Sequence, residues 1–312
     1  MTKVLAIGHY AARDQKALEG DLQARFVTSN AEIAALPEAD RQQIKALAFM
    51  GHAPFGGSDM DLLPNLGLIA NFGVGYDAID VDAASARGIK VTNTPDVLND
   101  DVADLAVALL IAQGREMILA SNWVTSGNWG AQGNFRLARK ISGGSAGIVG
   151  LGRIGRVIAN RLTAFDMDIH YTSRSEKETP GWTYHADPVS LAKAVDYLIV
   201  ALVGGPETEN MVSKEVLEAL GSRGIVVNIS RGSTIDEAAL LDALENGTIA
   251  GAGLDVFLNE PKIDPRFLKL DNVVLQPHQG SATVETRTQM GQLQRDNVSA
   301  FLAGQDLLTP VN

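Results

Sequence analysis

Short apolar runs alternate along the chain with longer segments in which apolar residues recur every three or four positions. Residues 4–8, 46–50, 66–71 and 90–93 have the length of buried strands, and 14–24, 38–45 and 81–87 carry the helical period between them. Strands that are continuously apolar and separated by helices predict a parallel sheet covered on both faces and linked by right-handed crossovers. A long helical pattern follows over 100–121, with Ala103, Leu105, Ala106, Leu109 and Leu110 at its apolar positions. A second strand series opens at 146–150 and continues through 168–173, 197–202, 225–230, 251–256 and 273–277, with helical runs at 153–165, 214–220 and 237–245. The amphipathic run 284–303 comes last. A closing helix must pack on something already built, so we expect it against the first half of the chain. This predicts an α/β protein of two domains, each built on a parallel sheet. The expected boundaries are 1–99 plus 285–312 for a discontinuous first domain and 100–284 for the second, with hinges near Asn99 and Ala282.

At 312 residues the chain has room for about two domains, each with its own core. Lys and Arg total 26 against 37 Asp and Glu, a net charge of −11 that repels phosphate backbones and anionic lipid. Neither nucleic acid nor a membrane is expected as a partner. The chain has no cysteine, which removes disulfides, thiolate metal sites and cysteine nucleophiles together, and no metal is expected. The apolar run at the start is too short for a secretory signal, and the longest, 105–112, is far below the roughly 20 residues that span a bilayer. A cytoplasmic location is expected.

Gly150-Leu151-Gly152-Arg153-Ile154-Gly155 places G-x-G-x-x-G directly after an apolar strand and before a helical run. Gly150 suits a tight turn, Gly152 a close backbone approach to a pyrophosphate, and Gly155 close helix–strand packing. The phosphates would lie on the N–H groups of the helix N-terminus, at Leu151, Gly152, Arg153 and Ile154. A bare motif is weak among 31 glycines, and a purely structural turn is the alternative, but both flanks fit a dinucleotide site. An NAD site needs a carboxylate about 20 residues further on, for the ribose hydroxyls. The next strand leads instead into Ser173-Arg174-Ser175, two hydroxyls and a guanidinium that suit a 2′-phosphate, which points to NADP(H). The alternative there is a solvated polar turn, and Glu176 beside it would weaken an anion site if turned inward.

Ligands of open parallel sheets bind beyond the carboxyl ends of the strands, and three charged residues fall at such ends. They are Arg231 after 225–230, Glu260 four residues after 254–256, and His278 after 273–277. Each alone could be ordinary: a surface arginine, a turn carboxylate, a capping histidine. Together, downstream of a dinucleotide turn, they divide the work of a carbonyl reduction. Arg would hold a carboxylate and polarise the carbonyl, His would supply the proton, and Glu would orient the His. His9, His170 and His185 are read as structural, as is His52, which could alternatively line the cleft. In the first half, the segment 71–77 exposes backbone N–H groups between Gly73 and Gly75, a candidate anion nest.

With these residues in place, the chain resembles the D-isomer-specific 2-hydroxyacid dehydrogenase family over essentially its whole length. The resemblance lies in 71–80, 91–104, 147–156, 228–236, 251–261 and 277–283, in matching order and spacing. It is nearest in kind to the NADPH-using glyoxylate/hydroxypyruvate reductases, through 92–98, 173–175 and 204–208. The resemblance implies that Arg231 binds the carboxylate and carbonyl of a 2-oxo acid, that His278 is the acid/base, and that Glu260 bonds its imidazole. It also implies that the Val74 and Gly75 amides take the substrate carboxylate, that Ile229 lines the cofactor, and that Asp255 meets the nicotinamide carboxamide. The resemblance implies a fold of two Rossmann/flavodoxin-like domains with parallel sheets around a central cleft, and a homodimer built through the nucleotide domain. Two positions depart from the family pattern: Gln279 stands where isoleucine is common, and Ser173 where an acidic residue is frequent.

The expected function is therefore NADPH-dependent reduction of a small 2-oxo acid, glyoxylate or hydroxypyruvate. Phosphoglycerate dehydrogenase is disfavoured by the Ser-Arg-Ser tip and the lack of chain for a regulatory domain, and formate dehydrogenase by Glu260, a partner suited to hydroxy acids. Reduction of bulkier 2-oxo acids such as phenylpyruvates is an alternative, and a dinucleotide-sensing binding protein of the same fold is the alternative from another class. The intact Arg, Glu and His favour turnover.

Overall fold

The computed structural model describes residues 2–51 and 53–312, so His52 lies outside the described residues. The chain forms two compact units, Met1–Leu98 with Thr283–Asn312, and Asn99–Ala282.

The first unit holds strands β1 (Val4–Gly8), β2 (Arg25–Val27), β3 (Ala46–Met50), β4 (Leu68–Asn71) and β5 (Lys90–Thr92), in the order β2-β1-β3-β4-β5. Every pairing is parallel. This is the flavodoxin-like order. The strands are continuously apolar because both faces are covered. Leu5, Ile7, Leu47, Phe49 and Ile69 enter one core, while Val4, Ala6, Ala46, Ala48 and Leu68 enter the opposite one with Val298 from the last helix. That helix, Val284–Leu302, is pinned to the sheet by Gln294, whose side-chain amide donates to the Ala70 carbonyl at 2.7 Å.

The second unit holds β6 (Ser145–Val149), β7 (Asp168–Thr172), β8 (Thr183–His185), β9 (Tyr197–Val200), β10 (Ile225–Asn228), β11 (Gly251–Leu254) and β12 (Val273–Leu275), again all parallel. Their order is β12-β11-β10-β9-β6-β7-β8. Read from β6 outward this is the Rossmann order with one strand added, and it reverses between β6 and β9. Because all seven strands run the same way, their carboxyl ends share one edge.

The strand runs read from the pattern are all present, most of them shortened by one or two residues. Two helical segments differ. The run 38–45 is helical only over Glu38–Arg41, because Ile44 is buried and the Lys45 amide already bonds the Lys3 carbonyl at the sheet. The run 100–121 is two helices, Asn99–Gly114 and Met117–Thr125, broken where Glu116 takes a left-handed conformation at φ 50°. Among the described residues no helix is long and apolar enough to cross a membrane, and no cluster of His, Asp and Glu is placed to hold a metal.

Candidate active site

Directly after β6, at the point where the strand order reverses, the three glycines of the turn meet three different surroundings. Gly150 has φ +99°, and a β-carbon there would sit 2.7 Å from the Ala201 carbonyl oxygen. At Gly155 a β-carbon would sit 2.2 Å from the Gly150 carbonyl oxygen, so only glycine lets the helix Arg153–Thr163 rest on the turn. A β-carbon on Gly152, the N-cap of that helix, meets nothing within 4 Å. Two glycines are thus needed by the protein itself, while the third faces open space at the positive end of an 11-residue helix. A bound pyrophosphate fits that cradle.

At the end of β7, Ser173 donates to the Ser175 carbonyl at 2.6 Å, and Arg174 and Ser175 are exposed. The Tyr171 hydroxyl bonds both the carbonyl and the N–H of Lys177, at 3.0 and 2.8 Å, which fixes the base of this tip. His170 and His185, on neighbouring strands, bond one another at 2.9 Å. Burial first and the His170 ring second push the His185 pKa down.

Arg231 follows β10 on a backbone clamped from beneath. Its carbonyl accepts from the Asn228 amide at 2.9 Å and from the Thr234 hydroxyl at 2.6 Å, while the Asn228 side-chain oxygen accepts from the Ser230 N–H and hydroxyl. Asn228, Ser230 and Thr234 are all buried. One guanidinium nitrogen donates to the Ser230 carbonyl at 2.8 Å.

Glu260 and His278 are brought together from loops after neighbouring strands. One carboxylate oxygen of Glu260 accepts the Phe257 N–H at 2.8 Å; the other lies 2.7 Å from Nδ1 of His278. Both side chains are partly exposed. This bond directs the imidazole and leaves Nε2 as the nitrogen on the opposite side of the ring. Glu237, from the helix Glu237–Glu245, accepts the next N–H, that of Leu258, at 2.8 Å. Burial raises its pKa against the pull of that bond, and the Asp264 and Glu260 carboxylates add to the rise.

His278 has a left-handed backbone at φ 55°, a conformation in which a β-carbon is crowded. Asp255, buried at the end of β11, holds it there. The Asp255 carboxylate collects the N–H groups of Gln279 at 2.6 Å and Gly280 at 2.8 Å, and the His278 N–H donates to the Asp255 carbonyl at 2.9 Å. Burial raises the Asp255 pKa further than these amides lower it. Ile229, also expected beside a cofactor, is buried just after β10. Arg231, Asp255, Glu260, His278 and the glycine turn therefore all lie along the carboxyl edge of one sheet; Val74 and Gly75 belong to the first unit, after β4.

The model of the D-isomer specific 2-hydroxyacid dehydrogenase NAD-binding domain matches residues 107–280, which include the turn and all four side chains. The chain belongs to this family. It is an oxidoreductase of 2-hydroxy and 2-oxo acids, with a nicotinamide cofactor as the redox partner. Glyoxylate/hydroxypyruvate reductase A of Arabidopsis thaliana is 44% identical over 301 residues, covering 94% of this chain and 95% of that protein. Hydroxyphenylpyruvate reductase of Plectranthus scutellarioides is 44% identical over 270 residues, 86% of each chain. Among solved structures, the NADPH-dependent glyoxylate/hydroxypyruvate reductase of Sinorhizobium meliloti, in complex with NADP and malonate, superposes with a TM-score of 0.94 at 44% identity. That match covers 99% of this chain and 96% of the other.

Sequence reasoning passed over the residues that hold the site in shape. Asn228, Ser230 and Thr234 beneath Arg231, and Glu237 beneath the Glu260 loop, were given no role. A signal existed for Asn228: a polar residue ending an otherwise apolar strand is placed where a buried hydrogen bond is needed. Asp255 has, beside the cofactor contact expected of it, a role in shaping the loop, because its carboxylate accepts the backbone N–H groups that follow the histidine.

Proposed function

We propose that this protein reduces a small 2-oxo acid, glyoxylate or hydroxypyruvate, to the 2-hydroxy acid with NADPH. The observation that carries the proposal is the 2.7 Å pairing of Glu260 with Nδ1 of His278, on the sheet edge that also carries the glycine turn. In this reading Leu151, Gly152, Arg153 and Ile154 hold the pyrophosphate by their amides, and Gly150 shapes the turn. Ser173, Arg174 and Ser175 receive the 2′-phosphate, and Ile229 and Asp255 border the nicotinamide. Bound NADPH supplies a hydride to the carbonyl carbon.

The remaining chemistry belongs to the chain. Arg231 binds the carboxylate and draws electron density toward the carbonyl oxygen, and the Val74 and Gly75 amides take the carboxylate as well. His278 holds a proton at Nε2 and passes it to the oxygen as negative charge develops there. Glu260 fixes the ring by Nδ1 and balances the imidazolium until that transfer. Reduction consumes the protonated histidine and oxidation the neutral one. The first unit is the substrate-binding domain in this scheme and the second the dinucleotide-binding domain.

The likeness to hydroxyphenylpyruvate reductase favours a second reading, reduction of bulkier aryl 2-oxo acids. Following NADPH and NADH absorbance with glyoxylate, hydroxypyruvate and phenylpyruvate separates the two. The proposal expects the highest kcat/KM with NADPH and one of the two small acids. Binding of NADPH without turnover of any 2-oxo acid would replace it with a dinucleotide-sensing protein.

A homodimer is part of the proposal. The stretch from Met117 to Leu137 exposes Met117, Ile118, Val124 and Trp129 and leaves Leu137 98% exposed, and large apolar side chains exposed together along one segment support a contact with a second copy. Light scattering of the purified protein would find two chains. The expected location is the cytoplasm, to be read by cell fractionation.

A further inference from the structure

In the first unit, all three carbonyl groups of Gly73, Val74 and Gly75 are tied back into the fold. Asn71, buried at the end of β4, donates from its side-chain amide to the Gly73 carbonyl at 3.0 Å and to the Gly75 carbonyl at 2.9 Å. Asn93, just past β5, donates to the Val74 carbonyl at 2.9 Å, and the Thr94 N–H adds a second bond to the Gly73 carbonyl at 3.0 Å. A trans peptide unit is planar, with its C=O and N–H on opposite sides. Fixing the Gly73 carbonyl inward therefore turns the Val74 N–H outward, and fixing the Val74 carbonyl does the same for the Gly75 N–H.

The pins are themselves anchored. The Asn93 carbonyl accepts from the Thr309 hydroxyl at 2.6 Å. Thr309 is gripped by Asn297, fully buried on the last helix, which donates to its hydroxyl at 2.9 Å and accepts its N–H at 3.2 Å. A run of side chains thus links the closing helix, through the C-terminal tail, to the loop after β4.

We propose that Asn71 and Asn93 are positioning residues for substrate recognition: by pinning these carbonyls they set two peptide planes so that the Val74 and Gly75 amides present together to the carboxylate of the 2-oxo acid. The inference rests on the reading that those two amides bind the carboxylate. A loop with the same sequence and no pins could rotate either plane and offer a carbonyl oxygen to the anion instead. Neither asparagine needs to touch the substrate for this to hold.

Asn93→Ala and Asn93→Leu test the inference in the full-length protein. Leucine fills the asparagine's volume without a donor or a charge, so a side chain that only packs would be replaced at little loss. Positioning predicts that both variants raise KM for glyoxylate, and the Kd of oxalate for the NADP-saturated protein, by about tenfold, the weight of one hydrogen bond. NADPH affinity should stay within about twofold and kcat should change less than KM. Asn71→Ala frees the Gly75 carbonyl but leaves the Thr94 N–H on that of Gly73, so where it folds it should raise KM less than Asn93→Ala does; the half-buried Asn93 carries the test if it does not fold. A titration of wild-type protein with oxalate, read by the Val74 and Gly75 amide resonances, separates the two levels of the argument. If those resonances move and both Asn93 variants keep wild-type KM and oxalate affinity, the positioning role is overturned and the carboxylate site stands. If the resonances do not move, the carboxylate site and the positioning role fall together.

Discussion

Gly152→Ala and Gly155→Ala lie three residues apart in the same turn and should fail in opposite ways. At Gly155 the added β-carbon would be 2.2 Å from the Gly150 carbonyl oxygen and 3.1 Å from a methyl group of Ile148. The nearest atom is backbone and cannot swing aside, so the helix Arg153–Thr163 must shift. Overpacking of this kind costs about 1–3 kcal/mol, and a domain of this size loses roughly 2–4 °C of Tm per kcal/mol. The expected fall is therefore roughly 2–12 °C without cofactor. At Gly152 the β-carbon meets nothing within 4 Å, and its φ of −86° is open to alanine. Replacing a glycine N-cap by alanine costs about 0.5–1 kcal/mol, and the stiffer unfolded chain returns about 0.4–1 kcal/mol, so the two largely cancel and Tm should hardly change. The same methyl stands where a pyrophosphate would approach the backbone. A clash there of about 1–3 kcal/mol weakens binding roughly ten- to hundredfold. Thermal unfolding without cofactor and NADPH fluorescence titration give both numbers for each variant. A Gly155→Ala protein with wild-type Tm, or a Gly152→Ala protein with wild-type NADPH affinity, would refute the assignment of separate jobs to the two glycines.

Arg174→Ala should lower kcat/KM with NADPH by roughly 10- to 100-fold, from the loss of one charge-assisted bond, and leave NADH nearly untouched; equal losses with both cofactors would remove the 2′-phosphate from this tip. Asp255→Asn should change stability in a pH-dependent way. Burial raises the Asp255 pKa, so its contribution to stability is complete below the unfolded carboxyl value near ~3.9 and is lost as pH rises through the folded value. Asparagine does not titrate, so the variant should gain on wild type as pH rises from about 4 and then level off. Urea unfolding across that range checks the sign, and a difference that moves the other way would contradict it.

The parts of the molecule legible in the sequence are those whose physics is local. Continuous burial made β1, β3, β6, β9 and β10 readable, because a strand covered on both faces has no polar positions to break the run. The three-residue strands β2 and β8 were missed. Each is half exposed and too short to show a period. The helix Pro188–Ala194 was also passed over, although its start carried a readable signal: Asp187 caps it by accepting the Ser190 N–H at 2.9 Å, and proline follows at the first helical position. In the site, Arg231, Glu260 and His278 could be singled out because charged residues at the ends of apolar strands are unusual. Their supports could not. Asn93 bonds the carbonyl of Val74 from the end of the neighbouring strand, and Asp255 bonds amides beyond the next strand. Such bonds join a side chain to a backbone group, whose chemistry is the same at every residue, so nothing at the receiving position betrays them. The left-handed backbone of His278 is a consequence of the same bonds and is equally silent in the sequence.

The central claim is that His278, held by Glu260, delivers the proton in reduction. Its most direct test is kcat of His278→Ala with NADPH and glyoxylate, measured beside the NADPH affinity of the same protein. The account predicts a loss of at least ~10²-fold in kcat, as expected when a general acid is removed, with NADPH bound as tightly as by wild type. Wild-type kcat in that variant would take the histidine out of the chemistry.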